Sequence, residues 1–310
     1  MSPIFTVVMP TYNHSHFLQH ALASVVKQTF IDWECIVIDN HSSDDTKMVV
    51  SRFEDPRIRL LCIKNKGVIA KSRNLGIACS NGQWIAFLDS DDRWYETRLE
   101  RVYNEICARP EVDVVSTDEF VVNFLTGVKS VLRYGPFEND FYRIMLQDGN
   151  RLSTSATVIK RNFLRETGLA FREDERFITA EDYDFWLLLA FAKARFTFLR
   201  WIEGEYSIHG TNNSANIARH FSSVRAVLGD HVLNIQTFAT NNRCLEYRIS
   251  ARITLAEARA RLGSGDYLSG LFLVARSMFR HPIFTIANFW ARKRRRRILQ
   301  YEEVRFKFDK

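Results

Sequence analysis

The first 118 residues alternate short apolar runs with stretches of helical spacing, and this alternation limits the fold more than any other feature of the 310-residue chain. Phe5–Val8, Cys35–Ile38, Ile58–Ile63, Trp84–Leu88 and Val112–Thr117 read as strands, the first ended by Pro10. Between the first two, apolar residues recur at 17, 18, 21, 22, 25 and 26, the one-face pattern of an amphipathic helix over 17–28. Helices are also predicted over 44–53, 68–80 and 98–109. Repeated β-α-β order predicts a Rossmann-like, mostly parallel sheet flanked by helices. Open sheets of this kind bind ligands beyond the carboxyl ends of their strands. The residues that directly follow each strand are therefore the candidates for chemistry.

The most informative of these is Asp89-Ser90-Asp91-Asp92, after the run Trp84–Leu88. Carboxylates gathered at a strand tip repel one another unless a cation joins them. Mg²⁺ or Mn²⁺ prefers such oxygens, and Mg²⁺ usually also takes oxygens from a substrate phosphate. Asp39 ends the second strand, where an acidic residue commonly accepts a hydrogen bond from a ribose or base. Pro10-Thr11-Tyr12-Asn13 follows the first strand and offers backbone amides and a ring to a planar base, or a plain strand-to-helix turn. Lys66, Lys71 and Arg73 bracket the start of a helix, which suits a diphosphate or a solvated basic face. Further on, Glu181-Asp182 opens a helix, as a dipole partner or as a general base. His209 lies in a polar loop.

The order of these pieces resembles the family 2 glycosyltransferases of GT-A fold. VVMPTYNHSHFLQHALASVVKQTF, ECIVIDNHSSDDT, NKGVIAKSRNLGIACSNGQWIAFLDSDD, TAEDYDFWLLLA and YSIHGTNNS run in the family's usual order over about the first two-thirds of the chain. The resemblance implies an inverting transferase that uses a sugar nucleotide, a UDP-sugar by the match of Asp39 to the residue that bonds the base. It places Pro10, Thr11, Tyr12 and Asn13 at the nucleoside, Arg73 near the diphosphate, and Asp89 at the ribose and sugar. Asp91 becomes the ligand of Mn²⁺ or Mg²⁺, with His209 beside it. Asp182 becomes the catalytic base, with Glu181 and Trp186 on the acceptor side. A sugar-nucleotide-binding module without activity is disfavoured by the intact acidic set. A nucleotidyltransferase is disfavoured because no glycine-rich loop follows the first strand.

The remainder of the chain sets the organisation. A hairpin is expected over 120–132 around Thr126-Gly127, a strand at 156–159, a helix over 181–194 and a strand over 196–201. Strand signals vanish after about Ala215. The expected division is a GT-A domain over 1–214, with a donor half (1–118) and an acceptor half (119–214), then a helical region over 215–310. Its helices are predicted over 221–240, 244–262, 267–279 and 282–299. Five scattered cysteines without CxxC spacing argue against zinc or disulfides. No secretory signal or stretch of roughly 18 uncharged apolar residues is seen, so a cytoplasmic location is expected. The net charge of +7 is concentrated in Arg292-Lys293-Arg294-Arg295-Arg296-Arg297, directly after the apolar His281–Trp290. Aromatic residues beside a polybasic cluster suit peripheral binding to an anionic inner leaflet, where a lipid-linked glycan acceptor would be met. Nucleic acid is not an expected partner, and the oligomeric state is left open.

Overall fold

The strand β1 (Phe5–Thr11) lies at the centre of the sheet and is buried along its whole length. In the computed structural model, which describes residues 2–210, 216–238, 242–288, 290 and the backbone of 306–307, β1 pairs in parallel with β2 (Trp33–Asp39) on one side and β4 (Trp84–Phe87) on the other. A third parallel strand, β3 (Ile58–Cys62), extends the sheet beyond β2. Alternate residues of these strands point to opposite faces, as strand geometry requires. Val8, Ile36, Ile38, Ile85 and Phe87 enter one apolar cluster, whereas Val7, Met9, Cys35, Val37, Ala86 and Leu88 enter another. The helices α1 (Ser15–Val26), α2 (Thr46–Ser51) and α4 (Arg98–Ala108) contribute Leu22, Val49 and Leu99 to the second cluster. Ala70 of α3 (Ile69–Ala78) lies in the first.

β1 does not stop at Pro10 as the sequence predicted. It continues to Thr11, with Pro10 opposite Ile38 and Thr11 opposite Asp39. Pairing with β4 ends at Val8, so at Pro10 the strand has a sheet partner on one side, where a residue without an N–H is tolerated.

Past β4 the sheet becomes mixed. β5 (Arg93–Trp94) is short, and β6 (Val114–Asn123) forms the predicted hairpin with β7 (Val128–Leu132). After α5 (Phe141–Asp148), β8 (Thr157–Lys160) inserts antiparallel between β4 and β6, followed by α6 (Arg161–Thr167) and α7 (Glu181–Phe191). β9 runs from Phe196 to Ile208, well past the predicted end at Trp201, because it follows β6 in parallel and then pairs antiparallel with β5. The helices α8 (Ile217–Asp230), α9 (Asn242–Gly263) and α10 (Tyr267–Arg280) follow, then a helical stretch over 282–288. Strands do not vanish after 215: β10 (Phe306–Lys307) pairs antiparallel with β7. Nor does the core stop there, since Val224, Val227, Leu228, Leu245 and Ile249 share one cluster with Ile38, Phe87 and Phe185.

Two polar contacts fix elements that carry the site. Arg172 binds both oxygens of the fully buried Asp184 and also Asp230, while His231 Nε2 lies 3.0 Å from Asp184 Oδ1. This network ties α7 to the end of α8. At the start of β4, the N–H of Gly82 donates to Thr6 Oγ1 at 2.8 Å. A Cβ at Gly82 would lie 2.5 Å from the backbone nitrogen of Thr6 and 2.7 Å from the carbonyl carbon of Phe5. Neither atom can swing away, since both belong to the central strand. Gly82→Ala is therefore expected to cost about 3 kcal/mol, the upper end of overpacking penalties, measurable as a lowered urea midpoint with an unchanged slope.

Candidate active site

Because β1 and β2 end in register, Thr11 and Asp39 sit side by side at the edge of the sheet. Asp39 is fully buried. Its Oδ1 accepts from the N–H of Ser42 at 2.9 Å, but Oδ2 has no hydrogen-bond partner. A buried carboxylate oxygen without a donor is costly, and this atom can accept an N–H or O–H. Asn13 takes the left-handed conformation (φ 51°), which asparagine tolerates. Its Oδ1 accepts from Ser43 N–H and its own N–H donates to Ser42 Oγ, both at 2.8 Å. Asp44 accepts from Ser15 N–H at 2.8 Å and from Thr46, and these bonds hold its carboxyl below the usual range against a burial penalty. The two loops are thus sewn together, leaving Tyr12 exposed above them.

The acidic tetrapeptide emerges from β4, as expected, but its members separate by environment. Asp92 is buried and structural: Oδ2 accepts from Ser155 Oγ at 2.5 Å and Oδ1 from the N–H of Ser207 in β9 at 2.8 Å. Burial, then the charges of Asp91, Glu119 and Asp89, pushes its pKa well up. Ser155 also accepts from the N–H of Asp89 at 3.0 Å. Asp91 meets His209, whose Nε2 lies 2.9 Å from its Oδ2. The His209 ring stacks on Phe17 with centroids 4.4 Å apart, and the edge of His14 approaches to 5.8 Å. The extended β9 is what carries His209 there. Thr211 to Ser214 of the same motif lie outside the described residues.

Arg73 joins the two ends of the site. It is nearly fully buried, and its Nη2 donates to Asp89 Oδ1 at 2.9 Å and its Nη1 to Glu181 Oε1 at 2.7 Å. Each terminal nitrogen thus donates to a protein carboxylate, while the buried Nε has no hydrogen-bond partner. The guanidinium stays firmly protonated: its pKa is raised by the charges of Asp89 and Glu181, which outweigh burial. Burial raises the pKa of Asp89 despite Arg73 beside it. Half-buried Asp182 follows Glu181 at the start of α7. Burial and then the Glu181 charge push its pKa up to about 7, against the pull of Arg73. A carboxyl poised there can take a proton near neutral pH. Trp186 is elsewhere: it is fully buried among Phe87, Phe171 and Phe185. It belongs to the core and not to an acceptor surface, because α7 is apolar on nearly all sides.

Pro10, Thr11, Tyr12, Asn13 and Asp39 thus form one corner, Asp91 and His209 another, and Asp89, Arg73, Glu181 and Asp182 a continuous chain. Sequence reasoning placed Ser155 in a segment that shapes the acceptor side and Ser42 and Ser43 in the loop after Asp39, but not their bonds to Asp89, Asp92, Asp39 and Asn13. It missed His14, whose position next to Asn13 was the one available hint.

The sequence model of Glycosyl transferase family 2 matches residues 6–167. The chain belongs to glycosyl transferase family 2. It is 28% identical over 232 residues to the UDP-Glc:alpha-D-GlcNAc-diphosphoundecaprenol beta-1,3-glucosyltransferase WfgD of Escherichia coli, covering 74% of this chain and 87% of that protein. The structure of S. aureus TarS 1-349 in complex with UDP superposes with a TM-score of 0.60 at 19% identity, over 96% of this chain and 92% of that one. In a longer TarS structure the chain spans 42% of the length. The mannosyltransferase PcManGT from Pyrobaculum calidifontis, in complex with GDP-Man and Mn2+, superposes with a TM-score of 0.60 at 17% identity, over 97% of this chain and 82% of that one. At such identities these structures establish the fold, which is GT-A.

In this family 2 chain, losing the shared cation would leave Asp89 and Glu181 facing each other in a buried site. Arg73→Met is expected to cost about 3–5 kcal/mol at about pH 8, the penalty for breaking a buried ion pair, read by urea unfolding. Burial already raises the Asp89 carboxyl, and without the cation that opposes this its folded-state pKa would lie further above the unfolded one. The deficit should therefore shrink as pH falls and Asp89 takes up a proton.

Proposed function

We propose that the chain transfers a sugar from a UDP-sugar to a hydroxyl of a lipid-linked glycan, with inversion at the anomeric carbon. The observation that carries this reading is the Asp89–Arg73–Glu181 bridge, which sets Asp182, with its pKa near neutrality, across from the acidic turn after β4. The substrate class is supported by the names of relatives: WfgD acts with UDP-Glc on a diphosphoundecaprenol-linked sugar, and TarS has been captured with UDP and with UDP-GlcNAc. We read 1–118 as the donor half, 119–214 as the acceptor half and 215–310 as a helical region. We place the enzyme on the cytoplasmic face of a membrane as a peripheral protein. No helix among the described residues is long and apolar enough to cross one.

In this scheme the unpartnered Oδ2 of Asp39 accepts from the base, and exposed Tyr12 covers the ring. Asp89, fixed by Arg73 and by Ser155, faces the ribose and the sugar. Asp182 takes the proton of the acceptor hydroxyl as that oxygen attacks the anomeric carbon and the carbon–oxygen bond to the diphosphate breaks. The proton ends on Asp182 and the electron pair on the departing nucleotide. Arg73 adds a fixed positive charge to this corner, orienting the carboxylates on either side of it. Asp91 and His209 converge as a carboxylate and an imidazole, a donor pair that suits Mn²⁺ or Mg²⁺. Among the described residues no third His, Cys, Asp or Glu completes a cage. An ion held there would need its remaining oxygens from a phosphate substrate and water. When bound, the ion supplies charge neutralisation on the leaving diphosphate.

Asp182→Asn should retain donor binding and lose transfer by about 10²–10⁴-fold. In the wild-type enzyme kcat/KM should climb with pH through an acid limb near 7 as Asp182 loses its proton, and that limb should vanish in the variant. Unimpaired transfer by the variant would remove Asp182 from the mechanism. Chelation is expected to abolish donor hydrolysis, and Mn²⁺ or Mg²⁺ to restore it in the wild type but poorly in Asp91→Ala. Full turnover in the presence of a chelator would exclude the metal role.

A further inference from the structure

The helix α10 is turned the opposite way from an ordinary amphipathic helix, which hides its apolar stripe. The face of α10 that packs on α9 is built mainly from small residues: Gly270, Leu273 and Ser277 are buried. A Cβ at Gly270 would lie 2.6 Å from Leu262 Cγ and 3.1 Å from the carbonyl oxygen of Ala258, so the glycine is what lets the two helices touch. The large apolar side chains stand on the other side. Leu268, Leu271, Phe272 and Phe279 are 86%, 61%, 65% and 90% exposed. Their spacing of three, four and seven residues puts all four on one stripe of the helix. The following helical stretch continues the exposed surface with Ile283 and Ile286. It is pinned to α10 by the buried pair Ser277 and Thr285, whose hydroxyl oxygens lie 2.7 Å apart. The apolar face therefore belongs to one supported unit.

Charge decides what covers it. Residues 267–301 contain no Asp or Glu, while Arg276, Arg280 and the run Arg292–Arg297 supply eight basic side chains. Exposed Arg276 and Arg280 border the apolar stripe. A second copy docked face to face would bring these like charges together. An anionic surface with an apolar interior complements both properties, and such a composition is that of a helix lying in the headgroup boundary.

We infer that the outward face of α10, continued by Ile283 and Ile286, docks the enzyme on an anionic lipid bilayer. The inference rests on the peripheral placement proposed above and adds the element that makes contact. Flotation of the full chain with vesicles of phosphatidylcholine, with and without phosphatidylglycerol, tests it. Binding is expected to the anionic vesicles, to weaken with salt, and to fall by about tenfold or more in the double variant Phe272→Glu, Phe279→Glu. Both side chains are solvent-exposed, so the variant should keep its thermal unfolding midpoint and its slow hydrolysis of UDP-sugar in the absence of vesicles. Equal binding by variant and wild type would overturn the inference, as would equal binding to neutral and anionic vesicles. So would a wild-type dimer in light scattering that the double variant dissociates while neither protein floats. If the wild type floats with anionic vesicles but hydrolyses no sugar nucleotide, the docking surface stands and the transferase reading fails.

Discussion

A buried guanidinium holds this site together. Arg73 stands on α3, Asp89 follows β4 and Glu181 opens α7, so a single side chain links three elements that share no sequence neighbourhood. The planar fork of arginine can bind two carboxylates at once through separate nitrogens, which lysine's point charge does not match. In a low-dielectric interior the two acids would otherwise repel each other or take up protons. The bridge sets the electrostatics of its neighbours as well. Burial, reinforced by Glu181, raises Asp89 and Asp182; Arg73 opposes this and leaves the latter near neutrality.

A second tie completes the frame. Asp92 binds the backbone of Ser207 in β9 and the hydroxyl of Ser155, which in turn holds the N–H of Asp89. The turn after β4 is thereby anchored to the strand that delivers His209 to Asp91. Within four consecutive residues, one carboxylate faces the arginine, one faces a histidine and one is consumed in support. The Arg172–Asp184–His231 network performs a similar service for α7, fixing the helix whose first turn carries Glu181 and Asp182.

Much of the donor half was legible because its signals are local. β1, β2 and β4 are apolar runs that end in turn residues, and their alternating faces fill two clusters as a doubly covered sheet demands. The acids at the strand ends could be found by inspection. Three features were not local and were misjudged. Pro10 reads as a terminator, yet β1 has already parted from β4 at that point. The second half of β9 carries polar and charged residues such as Glu203 and Glu205, and it is a strand because β6 and β5 offer it edges. Trp186 shares a helix with Asp182, but the helix is buried on nearly every side past its first turn, and the indole goes inward.

By itself the sequence determined the alternation of strands and helices, the acidic turn after β4, the carboxylate pair that opens α7 and the basic, carboxylate-free stretch from 267 to 301. Each follows from residue type and spacing over a few turns of chain. Only the tertiary structure decided which acids meet which bases: that Arg73 serves Asp89 and Glu181, that Asp91 pairs with His209 while Asp92 is absorbed into the frame, and that α10 shows its large apolar residues to the outside. Those outcomes depend on contacts between residues far apart in the chain and on how deeply each charge is buried, quantities that no local pattern encodes.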